Sequence, residues 1–137
     1  MNNLWNLKDI DKKTANSPNQ ILEEQAKYFE KNVNDVLYAK IANVKLKEFE
    51  LSEYKLATNF SIVSPTLDNY TYVLFTVYSN PEANYPLGIS LNDGKDYVDI
   101  DYTCNNYKEL IDTLSKILGS EEVTEIITVL YSKSKNF

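Results

Sequence analysis

Four aspartates concentrated in one short stretch are the first residues of this chain whose type and spacing could carry chemistry. They are Asp93, Asp96, Asp99 and Asp101. Asp99 and Asp101 would share one face of a strand, with their side chains roughly 7 Å apart. Such a pair could hold a divalent cation, or divide acid and base roles if burial separated their pKa values. No third ligand is specified and the spacing does not follow an EF-hand loop, so we favour a solvated strand face and predict no metal site.

Catalysis is disfavoured by the residues that the chain lacks. There is no His, and Cys104 is the single cysteine. A Ser-His-Asp or Cys-His system and a His-ligated zinc site are therefore excluded within one chain. The three glycines are dispersed, so no phosphate-cradling loop is indicated. We expect a protein that is not an enzyme and that uses no cofactor, with Cys104 as a reduced thiol of no catalytic role.

The charge balance bears on the class of partner. The net charge is -6, the isoelectric point is near 4.7, and all 14 basic residues are lysines. Nucleic acid is disfavoured, because phosphate binding needs a clustered basic surface. The amphipathic segments are acidic and no apolar run approaches ~18 residues, so no membrane association is predicted. With no signal-peptide pattern, a cytoplasmic protein is expected. All-Lys usage with abundant Asn, Tyr and Ile is typical of an AT-rich genome, such as that of a bacterium or phage.

Tyrosine is the residue type that points to binding. The chain has 11 tyrosines, and this side chain joins a large apolar body to a hydroxyl that tolerates water, which suits protein interfaces. Strand alternation predicts one outer face of the central strand for Tyr70, Tyr72 and Tyr78, with Tyr97 on the polar side of a neighbouring hairpin. Asp99 and Asp101 would form the acidic edge of this surface. The alternative is that tyrosine simply suits half-buried strands.

Capping and periodicity predict the elements that would position these side chains. Residues 1–16 are a polar arm, and Ser17 is the predicted N-cap of a first helix with Pro18 in its first turn. The region from 37 to 79 reads as three strands, the first with a phase change that indicates a bulge or bend. Asn106 and Ser120 are the predicted N-caps of two final helices, with Gly119 between them in a left-handed C-terminal position.

A hairpin around Asp93-Gly94 completes the predicted sheet, because this dipeptide suits a two-residue type I′ turn. Such a turn would set the register of the two flanking strands. It would pair Ile89 with Val98, Leu87 with Ile100, and Tyr85 with Tyr102, all on the core face.

Runs of strands flanked by helices predict an α+β domain over residues 17–137. The expected architecture is an N-terminal helix, an antiparallel meander of four to five strands, and two C-terminal helices packed on one face. The favoured function is a non-enzymatic cytoplasmic protein-binding module that occludes a partner protein, as an immunity protein or inhibitor would; self-association as a homodimer is also open. The alternative is a small-molecule-binding domain with a Tyr-lined pocket between sheet and helices. A carboxylate-based hydrolase comes third.

Overall fold

The computed structural model of the chain describes residues 1–46, 53–92 and 99–137. The strands of the described part form one antiparallel sheet in chain order, preceded by an N-terminal helix and followed by two C-terminal helices. The predicted α+β meander is therefore confirmed. The helices are α1 (Ile10–Lys13), α2 (Pro18–Asn32), α3 (Tyr107–Leu118) and α4 (Glu121–Asn136), and the strands are β1 (Tyr38–Lys45), β2 (Leu56–Ser64), β3 (Tyr70–Asn80), β4 (Ala83–Leu91) and β5 (Tyr102–Cys104).

The N-terminal arm contributes no buried side chain. Every residue from 1 to 16 is exposed, including Trp5, and the only helix in this stretch is the four-residue α1. Within the described residues, no helix is both long enough and apolar enough to cross a bilayer.

Hydrogen bonds at the helix N-termini confirm the three predicted caps. The backbone N–H of Gln20 donates to Ser17 Oγ at 3.4 Å, that of Glu109 to Asn106 Oδ1 at 2.9 Å, and that of Val123 to Ser120 Oγ at 3.2 Å. The left-handed conformation predicted for Gly119 is wrong, since its φ is -93°. Glycine is needed there for close approach: a Cβ at this position would lie 2.9 Å from the Ser115 carbonyl oxygen.

The Asn106 cap supports a quantitative prediction. Replacing Asn106 with alanine removes the side-chain acceptor for the Glu109 N–H, and we expect the free energy of unfolding to fall by about 1 kcal/mol. Urea denaturation should show a lower midpoint with an unchanged m-value. Asn106→Ser keeps a capping oxygen and is the matched control. Equal losses in the two variants would show that the cap hydrogen bond is not the source of the stability.

A β-bulge in β3 changes which side chains face the helices. Phe60 pairs with Phe75 and Ser61 pairs with Val73, so Leu74 is the extra residue on β3. Leu74 and Phe75, although adjacent, are both buried in the main core. The side-chain alternation therefore shifts by one residue at this point.

The register between β4 and β5 differs from the prediction. Leu87 pairs with Cys104 and Ile89 pairs with Tyr102, in place of the predicted Ile100 and Val98. The predicted Asp93-Gly94 turn lies outside the described residues. The observed register is displaced from the predicted one by an even number of residues, so the same faces of β4 and β5 stay buried in both. Burial alone could therefore not distinguish the two registers.

Ile100, predicted on the core face, lies before the start of β5 and does not continue its alternation. It packs on the opposite side of the sheet, against the cluster formed by Tyr54, Ala57 and Tyr78. A Cβ on Gly88 would lie 3.0 Å from Ile100 Cδ1 and 3.1 Å from Tyr54 Cε2. Glycine at position 88 thus allows these two side chains to close over the strand.

The main core lies between the sheet and helices α2, α3 and α4. Its centre is a stacked aromatic pair, Phe60 on β2 and Phe75 on β3, with ring centroids 5.2 Å apart and planes inclined by 6°. Helix α2 contributes Leu22, α3 contributes Leu114, and α4 contributes Leu130 to the same cluster. The helices therefore cover one side of the sheet, called here the helix side.

Candidate functional site

The tyrosines predicted to form one binding face do not lie together. Tyr72 packs against the main core on the helix side, whereas Tyr78 is 6% exposed in the cluster on the opposite side. Ser64 faces the helices, because its hydroxyl is hydrogen-bonded to Ser134 of α4. Tyr70 pairs with Ser64 across the sheet, so Tyr70 also lies on the helix side, where it is exposed. Tyr97 lies outside the described residues. The prediction of a shared outer face for Tyr70, Tyr72 and Tyr78 is wrong because the bulge at Leu74 reverses the alternation between them.

The two predicted acidic residues are exposed, and Asp101 lies close to the end of β4. The Asp101 N–H donates to the Ile89 carbonyl oxygen at 2.9 Å, and Asp101 Oδ2 accepts from the Leu91 N–H at 2.8 Å. Asp101 thus satisfies backbone groups where β4 and β5 meet. Asp99 precedes it by two residues in the sequence and is also exposed. Over the described ranges, no group of three or more His, Cys, Asp or Glu side chains is arranged to hold a metal ion.

A cleft opens on the helix side between strands β3 to β5 and helices α3 and α4. Its volume is about 870 Å³, within the range of pockets that enclose small molecules. Its apolar walls are Leu74, Leu91, Ile117, Val123 and Ile126, and its polar or amphipathic residues are Tyr72, Asn92, Tyr102, Lys116, Ser120 and Glu122. Of the five described residues that were predicted for binding, Tyr72 alone is among these.

The β3 bulge shapes one wall of this cleft. The bulged residue Leu74 lies in its wall, and Asn92, at the end of β4, holds the bulge. The Asn92 N–H donates to the Leu74 carbonyl oxygen at 3.3 Å, and Asn92 Nδ2 donates to the Val73 carbonyl oxygen at 2.7 Å. Bulges commonly redirect a side chain next to a functional site. Here the bulge directs Leu74 into the space beneath α4.

One lysine and one glutamate lie among the described lining residues, and both are exposed. Lys116 Nζ, from α3, is 5.7 Å from the centroid of the Tyr102 ring, within reach of a cation–π interaction. Glu122 is in the first turn of α4, where a carboxylate is favoured by the helix dipole. The hydroxyl of Ser120 already donates to the Ile117 carbonyl oxygen at 2.8 Å and accepts from Val123. Lys116 and Glu122 therefore carry the formal charges available to a ligand in the described lining.

A second, smaller cavity of about 270 Å³ lies on the other side of α4, facing α2. It shares two lining residues with the cleft, Leu74 and Val123. The two spaces are consequently neighbours beneath the N-terminal turns of α4, and these two side chains border both of them.

Cys104 lies on β5 but is not a lining residue of the cleft. Its side chain is 0% exposed, and its Sγ is 3.5 Å from Thr113 Oγ1 and 3.7 Å from the Glu109 carbonyl oxygen. Burial raises the pKa of the thiol, the Thr113 hydrogen bond lowers it, and the Glu109 carboxylate raises it. The net shift is upward, so the thiol stays protonated and unreactive near neutral pH.

The raised pKa of Cys104 predicts a loss of stability at alkaline pH. An unfolded chain releases the thiol proton near the ordinary value of 9.0, while the native protein retains it. The native state then binds more protons than the unfolded chain. The stability that this contributes is fully present below that pH, and it is lost as the pH rises toward the native pKa. Urea midpoints measured in steps from neutral pH to just above 9.0 should decline in the wild type. The decline should be shallower in Cys104→Ala; parallel profiles would contradict this assignment.

Sequence reasoning missed most of the cleft. Leu91, Ile117 and Ile126 belong to apolar stripes that read equally well as core, and Lys116 reads as an ordinary solvated residue. A weak signal was available in the run from Tyr70 to Ser79, which is apolar on both parities, as a strand with a bulge would be.

Comparison of the chain with protein-family models, with curated proteins and with solved structures finds no match. The function is therefore inferred from the cleft itself.

Proposed function

We propose that this protein is a non-enzymatic binding domain that holds a small amphipathic molecule in the cleft between its sheet and its C-terminal helices. The observation that carries the proposal is the cleft of about 870 Å³, with walls of Leu, Ile and Val side chains and a mixed polar rim. Pockets of this size and lining bury most of the surface of a small ligand, and a few polar groups set its orientation.

The arrangement of polar groups supports binding rather than catalysis. Lys116 and Glu122 are both exposed, whereas catalytic acids and bases usually lie in sites that exclude water. The chain has no His, and its one thiol, on Cys104, is enclosed in the core. Tyr72 and Tyr102 offer ring faces and hydroxyl groups, which suit recognition of a partly apolar ligand.

The hypothesis of a protein partner stays a prediction with less support. It depended on a continuous tyrosine face, and Tyr78 is buried on the opposite side of the sheet from Tyr72. Among the described residues of the predicted face, Tyr70, Asp99 and Asp101 are exposed. No further observation favours an immunity or inhibitor role over ligand binding.

The test uses 1-anilinonaphthalene-8-sulfonate (ANS), a fluorescent probe with an apolar aromatic body and a negatively charged sulfonate group. We expect saturable binding with a stoichiometry of one probe per chain, and a native near-UV spectrum throughout the titration. At a free concentration 100 times the Kd, the probe should raise the free energy of unfolding by about 2.7 kcal/mol. Absence of saturable binding, or binding only when the near-UV spectrum is lost, would contradict the proposal.

A further inference from the structure

We propose that the ligand is a single-chain amphiphile with a net-neutral headgroup, held with its head at Lys116 and Glu122 and its chain passing between Leu74 and Val123 into the second cavity. This inference rests on the proposed function of the cleft, whose ligand class it specifies. Three observations support it: the junction of the two cavities, the apolar floor of the second cavity, and the pairing of charges at the rim of the first.

The junction indicates an elongated ligand. Leu74 comes from the β3 bulge and Val123 from the first turns of α4, and each lines both cavities. Both are aliphatic side chains with rotatable bonds, and both border the two spaces. A flexible chain that separates them would occupy the cleft and the second cavity together. A compact rigid molecule would fill only the larger space.

The second cavity offers an apolar surface at its inner end. Phe60 and Ile62 of β2 form its floor, and Phe29 of α2 and Ile127 of α4 contribute its apolar walls. Its polar residues, including Gln25, Asn32 and Thr128, are exposed or half-buried rather than fully buried. No Lys, Asp or Glu is among the described residues that line it. The end of a hydrocarbon chain fits this chemistry, whereas a charged group would lose its hydration there without a partner.

The rim of the cleft indicates the charge of the headgroup. Lys116 and Glu122 contribute one positive and one negative charge, and the chain as a whole has a net charge of -6. A carboxylate head would be attracted by Lys116 but repelled by Glu122 and by the overall charge. An ammonium head would be attracted by Glu122 but repelled by Lys116. A zwitterionic head satisfies both side chains, and this favours a net-neutral ligand.

The experiment measures the affinity of alkylphosphocholines of increasing chain length, each below its critical micelle concentration, by displacement of ANS. Each additional buried methylene should raise the affinity about fourfold. In the wild type the gain should continue for chains too long for the cleft alone. In Ile127→Trp, which fills the second cavity, the gain should stop at a shorter chain. Val129→Trp, on the exposed face of α4, should behave as the wild type does.

Charge controls of equal chain length test the headgroup. An alkyl carboxylate and an alkyltrimethylammonium ion should each bind more weakly than the phosphocholine, by about tenfold, which corresponds to about 1.4 kcal/mol. Glu122→Gln should improve binding of the carboxylate, and Lys116→Gln should improve binding of the trimethylammonium ion. Equal affinities for all three headgroups in the wild type would overturn the assignment of a net-neutral head.

A separate outcome tests the path of the chain. If Ile127→Trp leaves the chain-length dependence unchanged while its near-UV spectrum is native, the second cavity does not hold the chain and the inference is wrong. Thr128→Trp, at an exposed position on the wall of the same cavity, repeats the test if Ile127→Trp does not fold. ANS binding with no binding of any alkylphosphocholine would reject this ligand class and leave the proposed function standing. Binding of neither probe would reject both.

Discussion

Replacing Phe75 with alanine is expected to lower the free energy of unfolding by about 3 to 5 kcal/mol. Phe75 is 0% exposed and stacks on Phe60, with ring centroids 5.2 Å apart. The substitution removes the buried ring and leaves a cavity between the central strands and the helices. Since domains of this kind are commonly stable by only about 5 to 15 kcal/mol, this one change would remove a large share of the total.

Urea denaturation followed by far-UV circular dichroism measures this effect. Phe137→Ala is the matched control, because Phe137 is 84% exposed at the C-terminus and its removal should change the free energy of unfolding by no more than about 0.5 kcal/mol. A loss below about 1 kcal/mol for Phe75→Ala would contradict the placement of Phe75 at the centre of the core, and with it the bulge that turns both Leu74 and Phe75 toward the helices.

Replacing Ile126 with tryptophan is expected to weaken ANS binding by at least tenfold, which corresponds to about 1.4 kcal/mol. Ile126 is a half-buried residue of α4 in the wall of the cleft, and the larger ring would occupy space that the ligand needs. The side chain extends into an open cleft rather than a closed core, so the cost of overpacking should be small. Fluorescence titration gives the Kd, and thermal unfolding monitors the fold.

Val129→Trp is the control for this second effect. It introduces the same ring on the same helix at an exposed position outside the described lining of the cleft. Its ANS affinity should remain within about twofold of the wild type, a difference of roughly 0.4 kcal/mol. If both variants bind ANS as the wild type does, the probe occupies another surface and the cleft is not the binding site.

Most of the fold follows from local sequence signals. Ser17, Asn106 and Ser120 each cap the helix they were predicted to cap, because a short polar side chain before an apolar stripe satisfies the first free N–H groups. Strand periodicity gave the antiparallel meander. These features depend on residues close together in sequence, where propensity and pattern agree.

The candidate site could not be predicted in the same way, because it depends on contacts between distant segments. The bulge at Leu74 is defined by pairing with β2 and by hydrogen bonds from Asn92. It separated Tyr72 from Tyr78, which simple alternation had placed together. The register of β5 likewise depended on a choice between two registers that differ by an even number of residues and bury the same faces of β4 and β5. The space left beneath α4 is a property of packing, which periodicity does not encode.

The location of bound ANS is the most direct test of the central claim that the cleft is a ligand site. Intermolecular nuclear Overhauser effects between the aromatic protons of ANS and the methyl groups of the protein would give that location. We expect contacts with the methyl groups of Leu74, Leu91 and Ile126, which line the cleft. Contacts only with Ala57 and Ile100, on the opposite side of the sheet, or only with the exposed Leu4 and Leu7 of the arm, would contradict it.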